Sequence, residues 1–132
     1  MTGVIWFVQV VHYPLMGSVG VDGYAHYQRS HQRLTTFVVA PPMIVELLTS
    51  AAIVVWRPVV VPLWSAWVGL ALVGLVWAST AVLQVPAHHR LAAGFDALVH
   101  RRLVHGNWVR TILWSARMAL ASWMLASGTD LM

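Results

Sequence analysis

The chain has 132 residues, 59% of them hydrophobic and only 9% charged, against about 25% charged in a soluble domain. At roughly 20 apolar residues per membrane crossing, this is material for four spans with short connections, and it excludes a separate soluble domain. The formal charge of +4 rests on eight Arg and no Lys, and it excludes a nucleic-acid partner, because most of the chain must face lipid and cannot supply a solvated basic face.

The apolar runs predict an all-α integral membrane four-helix bundle, a single transmembrane domain with spans at about residues 4–20, 34–56, 62–84 and 107–127. The opening run, VIWFVQVVHYPLMG, lacks the basic start and small-residue cleavage site of a signal peptide and reads as a retained span. A polar connection, VDGYAHYQRSHQR, follows it. The second span is interrupted by Pro41, Pro42 and Glu46, and Arg57 with Pro58 makes the next turn. The third carries Gly69 and Gly74, small residues suited to close helix contact. Residues 85–110 turn polar again and predict an interfacial helical segment between the third and fourth spans, broken near Gly94 and Gly106. The tail from Gly128 to Met132 is expected to fray. Trp56, Trp64, Trp67, Trp108 and Trp123 fall near span ends, where indole rings prefer the interface.

Arg29, Arg33, Arg90, Arg101, Arg102 and Arg110 fall in the two polar connections, and Arg57 falls in the other turn. The positive-inside rule then places both polar connections in the cytoplasm and both termini outside, in a multi-pass protein of a bacterial-type inner (cell) membrane.

Ionisable groups within apolar runs carry the chemical signal, because an unpaired charge there costs at least about 2.5–3.5 kcal/mol. Measured from the polar face, Glu46 and Arg117 differ in depth by only about 3 Å at roughly 1.5 Å per residue, and His12 lies some 12 Å deep. An ion pair between Glu46 and Arg117 solves two burial problems at once. A Glu46 that ligates a metal or carries a proton is the sharper alternative, and Pro14, Pro41 and Pro42, which free carbonyls one turn earlier, suit a cavity. Nearer the face, His89, Asp96 and His100 are spaced by seven and four, which keeps them within about a 60° arc of a continuous helix, with His88 at its edge. His31 enters from the facing connection.

His12, His31, Glu46, His88, Asp96 and His100 are therefore the candidate metal ligands. With no Cys in the chain, thiolate sites and disulfides are excluded. Imidazole and carboxylate without sulfur suit Zn, Fe, Mn or Cu and do not choose among them. A haem held by two His ranks behind a single ion, since only His12 lies deep in a span.

The segments VPAHHRL and NWVRT resemble a pattern of the anthrone-oxygenase-like family of small four-span membrane proteins. The matching positions are Val85, Pro86, the polar pair His88 and His89, Leu91, and then Asn107 three residues before Arg110 and Thr111. The resemblance lies mainly in residues 84–120 and implies a four-span fold and oxidation of anthrone-type polyketides by molecular oxygen. The chain departs from the family in placing His88 and His89 where Asn is more usual, and in adding His12, His31 and Glu46.

The leading function is a membrane oxidoreductase or oxygenase acting on a lipophilic small molecule at the polar end of the bundle, with Glu46, Arg110 and Arg117 as catalytic candidates. In a metal version the ion keeps an open position for oxygen or water, and Arg110 or Arg117 stabilises developing negative charge. In a metal-free version a His acts as general base on an acidic carbon or a phenol. One alternative is a proton-coupled exporter in which Glu46 alternates between a proton and a cationic substrate. The other is a non-catalytic subunit of a larger membrane complex, docked through Ala66, Gly69, Ala71 and Gly74. The expected partners are the lipid bilayer, a lipophilic small molecule, and a second copy or a larger assembly.

Overall fold

A computed structural model describes residues 1–129, and all secondary structure among them is helical. Helix α1 spans Thr2–Met16, α2 Val21–Val55, α3 Leu63–Leu91 and α4 Ala97–Thr129. The turns 17–20 and 92–96 lie at one end of the bundle and the turn 56–62 at the other, so α2 and α4 run parallel and α1 and α3 run against them. Helix α4 packs on α3 and α1, and α3 packs on α2. Two helices, α2 and α3, are long and apolar enough to cross a membrane, and α1 is a shorter apolar helix.

The boundaries differ from the expected ones where polar residues were taken for connections. Helix α2 begins at Val21 and absorbs the whole stretch 21–33. Its buried residues Tyr24, Gln28 and His31 recur at four and three, so one face of this polar segment packs inward while Arg29 and Arg33 stay exposed. At the other polar segment, α3 continues to Leu91 and α4 starts at Ala97, so no separate interfacial helix forms. The break falls at Gly94, whose φ of +157° is one that side chains rarely adopt. Gly106 breaks nothing: it lies inside α4, with Leu83 and Gln84 close enough that an added Cβ would sit 3.7 Å from them. Of the tail, Gly128 and Thr129 belong to α4, and Asp130 to Met132 lie outside the described residues.

Two prolines reshape the helices that hold them. Pro14 and Pro86 have no N–H to offer the carbonyl four residues back. Just ahead of each the ladder widens into a π turn, at Val8–His12 and Thr80–Gln84, with Tyr13 N–H donating to Val8 O and Val85 N–H to Thr80 O. Pro41 and Pro42, by contrast, lie inside a continuous α2.

Two apolar clusters hold the bundle. Tyr13, Met16, Tyr24, Leu91, Val99 and Leu103 close the end with the polar turns, and Ile5, Met43, Val76 and Trp114 fill the middle. Between them, Asn107 Nδ2 donates to Gln9 Oε1 at 2.9 Å in a buried bond, and Gln9 Nε2 donates to Val104 O at 3.2 Å, which links α1 to α4.

Asn107→Ala leaves the Gln9 oxygen without a donor, and is expected to destabilise the fold by about 1–3 kcal/mol, read from thermal unfolding. A second expectation concerns Asp96, an exposed carboxylate that receives the Leu98 and Val99 N–H groups at 2.8 and 3.0 Å as it starts α4. Those two donors hold its carboxyl below the usual value of 3.8. Its stabilising contribution is therefore complete above that value and lost as pH falls through the lower folded one. The acid-side decline in melting temperature should be shallower in Asp96→Ala than in the parent, and parallel curves would show that the cap contributes nothing.

Candidate active site

The π turns bring chemistry onto packed faces. In α1 the turn ends at His12 and is followed by Tyr13, and one turn beyond the second π segment α3 carries His88. Helix α2 supplies Gln28, His31, Gln32 and Thr35, spaced by three, one and three along one face. Helix α4 supplies Arg110.

His88 is fixed at both ring nitrogens. Gln28 Nε2 stands 2.7 Å from Nδ1 and Tyr13 Oη stands 3.0 Å from Nε2. An amide nitrogen can only donate, so Nδ1 accepts, the ring proton sits on Nε2, and Nε2–H donates to the Tyr13 oxygen. Gln32 Nε2 also donates to the His88 carbonyl at 2.8 Å, which ties α2 to α3 at the same level. His31 is a second, separate unit: its Nδ1 lies 3.0 Å from His12 Nε2 and 3.1 Å from Thr35 Oγ1. Ring centroids of His12 and His31 are 4.7 Å apart, and those of His31 and His88 are 5.3 Å apart.

Arg110 is buried to 7% exposure. Its guanidinium interacts with the Tyr13 hydroxyl and lies 5.3 Å from the centroid of the Trp114 ring, while its Nε has no partner. Among the described residues no carboxylate lies within 4 Å of it. A guanidinium in such a place is stabilised by an oxygen lone pair and an aromatic face alone.

These groups form one end of a cavity of about 360 Å³. Tyr13, His31, Gln32, His88 and Arg110 line its polar end; Ile5, Val8, Val39, Met43, Trp77 and Val85 are among its apolar walls. The volume and lining suit a small lipophilic molecule with one polar head.

Of the six residues expected to ligate a metal, the fold gathers three, His12, His31 and His88. Glu46 lies elsewhere, accepting from Trp114 Nε1 at 2.8 Å and standing 3.8 Å from the Met1 amine. Asp96 is exposed and caps α4, and His100 places Nε2 2.8 Å from the Tyr13 carbonyl. The arc of His89, Asp96 and His100 does not form, because the 92–96 turn separates the two helices that carry them, and His89 is exposed. Among the described residues no group of three or more His, Asp or Glu has geometry that would hold an ion.

The Glu46–Arg117 ion pair is also absent. Glu46 faces Trp114, and one turn further along α2 Ser50 receives Arg117 Nη2 at 2.7 Å. Tyr13, Gln28 and Gln32 were not singled out by the sequence. Their signal was there: Tyr13 follows a His and precedes a Pro in an apolar run, and Gln28 and Gln32 flank His31 at helical spacing.

No family model, curated protein or solved structure matches this chain.

Tyr13→Phe removes the oxygen shared by His88 Nε2 and Arg110, leaving a buried donor and a buried cation unmatched. The expected loss is about 1–3 kcal/mol, seen as a lower unfolding temperature. His88→Phe, which leaves the buried Gln28 amide without its acceptor and Tyr13 without its donor, should cost a comparable amount.

Proposed function

We propose that this chain is a four-span integral membrane enzyme of the anthrone-oxygenase-like kind, which abstracts a proton from an acidic carbon of a lipophilic phenolic substrate and lets the resulting anion react with molecular oxygen. The observation that carries this reading is Arg110, a buried cation with no carboxylate partner, at the polar end of an otherwise apolar cavity that also presents an imidazole.

Embedding in a bilayer is supported by the outer surface. Phe37, Leu48, Val82 and Leu125 are among many large apolar side chains more than 60% exposed, a surface that soluble monomers rarely carry. Helix α2, about 52 Å long at 1.5 Å per residue, exceeds a hydrocarbon core of about 30 Å, so its first turns extend beyond the apolar layer. Exposed Arg29, Arg33, Arg90, Arg101 and Arg102 crowd that end and Arg57 stands at the other. With Arg110 removed from the count because it is buried, the positive-inside rule still puts the polar end in the cytoplasm. The cavity then opens at the interface and reaches into the lipid layer, where a lipophilic substrate partitions.

The chemistry follows from the atoms left free. His31 Nδ1 is engaged, and its Nε2 has no partner among the described residues. In the tautomer that donates from Nδ1 to His12 Nε2, His31 Nε2 bears a lone pair and acts as the base, and His12 stabilises the imidazolium that forms. Arg110 and the Tyr13 hydroxyl take the negative charge that develops on the substrate oxygen. Oxygen adds to the carbanion, the proton returns to give a hydroperoxide, and loss of the second C–H proton with cleavage of the O–O bond yields a ketone and water. The methylene thus loses two hydrogens and gains one oxygen atom, and dioxygen supplies both the product oxygen and the water. Positions of the family resemblance support the placement, since Leu91, Asn107, Arg110 and Thr111 are all buried.

The geometry favours this metal-free version over one that uses the expected six ligands. It also gives less support to an exporter built on Glu46, which is held by Trp114 and the Met1 amine and lines neither the cavity above nor the one beside Arg117.

The test is oxygen uptake by the purified chain with an anthrone-type tricyclic phenol, in the presence and absence of a chelator. The expected result is uptake of one dioxygen per ketone formed, unaffected by chelation. His31→Gln and Arg110→Gln should each lower the rate by roughly 10²–10³-fold with the fold retained. Equal rates in the parent and both variants would sink the assignment, and loss of activity on chelation would return the metal version.

A further inference from the structure

Gln28 is fully buried on α2 and is not among the residues that line the cavity, yet its amide decides where two protons of the polar end lie. Its Nε2 stands 2.7 Å from His88 Nδ1 and 3.5 Å from the His88 carbonyl. A carbonyl only accepts, so the amide nitrogen, and not the amide oxygen, is the atom turned toward His88. Gln28 Oε1, on the other side, has no partner among the described residues. With Nδ1 accepting, the ring proton of His88 sits on Nε2 and goes to the Tyr13 oxygen at 3.0 Å.

That order leaves one proton over. The Tyr13 oxygen receives His88 Nε2–H and also interacts with the Arg110 guanidinium, and neither neighbour can take the phenol's own proton because both are donors. Tyr13 is only 3% exposed and lines the polar end of the cavity with Arg110, so the cavity is where an acceptor for this proton can stand. The opposite order has the opposite effect. With the ring proton on Nδ1, Nε2 would present a lone pair to Tyr13, the hydroxyl would donate to it, and Arg110 would face the cavity alone.

We propose that Gln28 is a positioning residue for the oxyanion that forms in the cavity: by donating to His88 Nδ1 it commits the Tyr13 hydroxyl proton to the substrate oxygen, which then meets two donors, Tyr13 and Arg110. The effect on rate rests on the enzymatic reading above, whereas the proton order does not. Gln28 touches no substrate atom and acts through two other side chains. Donors fixed in advance at the place where charge develops need no reorientation during the reaction, and the buried Gln28–His88–Tyr13 chain supplies that fixity. The same polarity favours a substrate head that arrives as a carbonyl or an anion over one that must donate a hydrogen bond.

The test is a double-mutant cycle in oxygen uptake, with Gln28→Glu, Tyr13→Phe and both together, joined to nitrogen NMR spectra of the full chain labelled at histidine, in which His88→Phe identifies the His88 signals. A carboxylate only accepts, so Gln28→Glu should move the His88 proton from Nε2 to Nδ1 and lower kcat by roughly 10²-fold with KM little changed. Tyr13→Phe should lower kcat by a similar factor. The double variant should be no slower than Tyr13→Phe alone, since Gln28 acts only through the hydroxyl, whereas a direct effect of the added charge would multiply the two losses. Multiplied losses would overturn the proposal, as would a His88 proton on Nδ1 in the parent, a proton order that ignores Gln28→Glu, or a reversed order with the rate intact. If Gln28→Glu does not fold, the parent spectrum still decides between the two orders. A parent chain that takes up no oxygen with the tricyclic phenol fails the enzymatic reading instead, and the spectra of the parent and of Gln28→Glu then test the proton order by themselves.

Discussion

The burial of the Arg110 guanidinium, at 7% exposure and without a carboxylate near it, is the constraint around which the polar end of the bundle is arranged. A charge removed from water needs compensation nearby, and here the compensation is a phenol oxygen and an indole face. That fixes Tyr13. Gln28 donates to His88 Nδ1, so the ring proton lies on Nε2 and Tyr13 Oη accepts it, which leaves the hydroxyl proton free to donate beside Arg110. Gln32 on the His88 carbonyl completes the link to α2. One cation on α4 thereby orders side chains on all three other helices.

Helix number and rough position were legible from hydrophobic runs, because apolar length is a one-dimensional property. The extent of the helices was not. The stretch 21–33 has the composition of a connection, and only the spacing of Tyr24, Gln28 and His31 shows that one of its faces packs inward. The resemblance to a four-span family pointed at Asn107, Arg110 and Thr111, which turn out to be among the best-buried polar residues in the bundle. It did not point at Tyr13, which is uncharged and sits in an apolar run, so nothing in its local sequence demanded a partner.

Depth was read better than direction. Glu46 and Arg117 do lie at nearly the same level, on parallel helices, and the expected ion pair misses by one turn: Glu46 meets Trp114 and Ser50 meets Arg117. Residue counting gives height along the bundle, while pairing also depends on rotation about each helix axis, which counting does not fix. The π turns are such rotations. Each adds a residue to a turn just ahead of Pro14 or Pro86 and so re-aims everything before it relative to everything after it. A fixed period of 3.6 carried across either proline gives the wrong face.

Arg110 and Arg117 are seven residues apart on α4, so they lie on nearly the same face about 10 Å apart along the axis. Each is aimed inward, each is paired with neutral oxygens, and each borders an apolar cavity. Glu46 is hydrogen-bonded to an indole, faces an ammonium group and attracts Arg117 from beyond ion-pair distance, whereas Arg110 has no such acid. The interior therefore holds one deeply buried guanidinium, Arg110, without a carboxylate near it, set against a phenol and an indole. A fold that only needed to be stable would do as well with apolar residues at both positions, since replacing buried charge by well-packed hydrophobic groups is often neutral or favourable. At Arg110, the counter-charge that the bundle itself does not supply is what the proposed substrate anion would bring to the cavity.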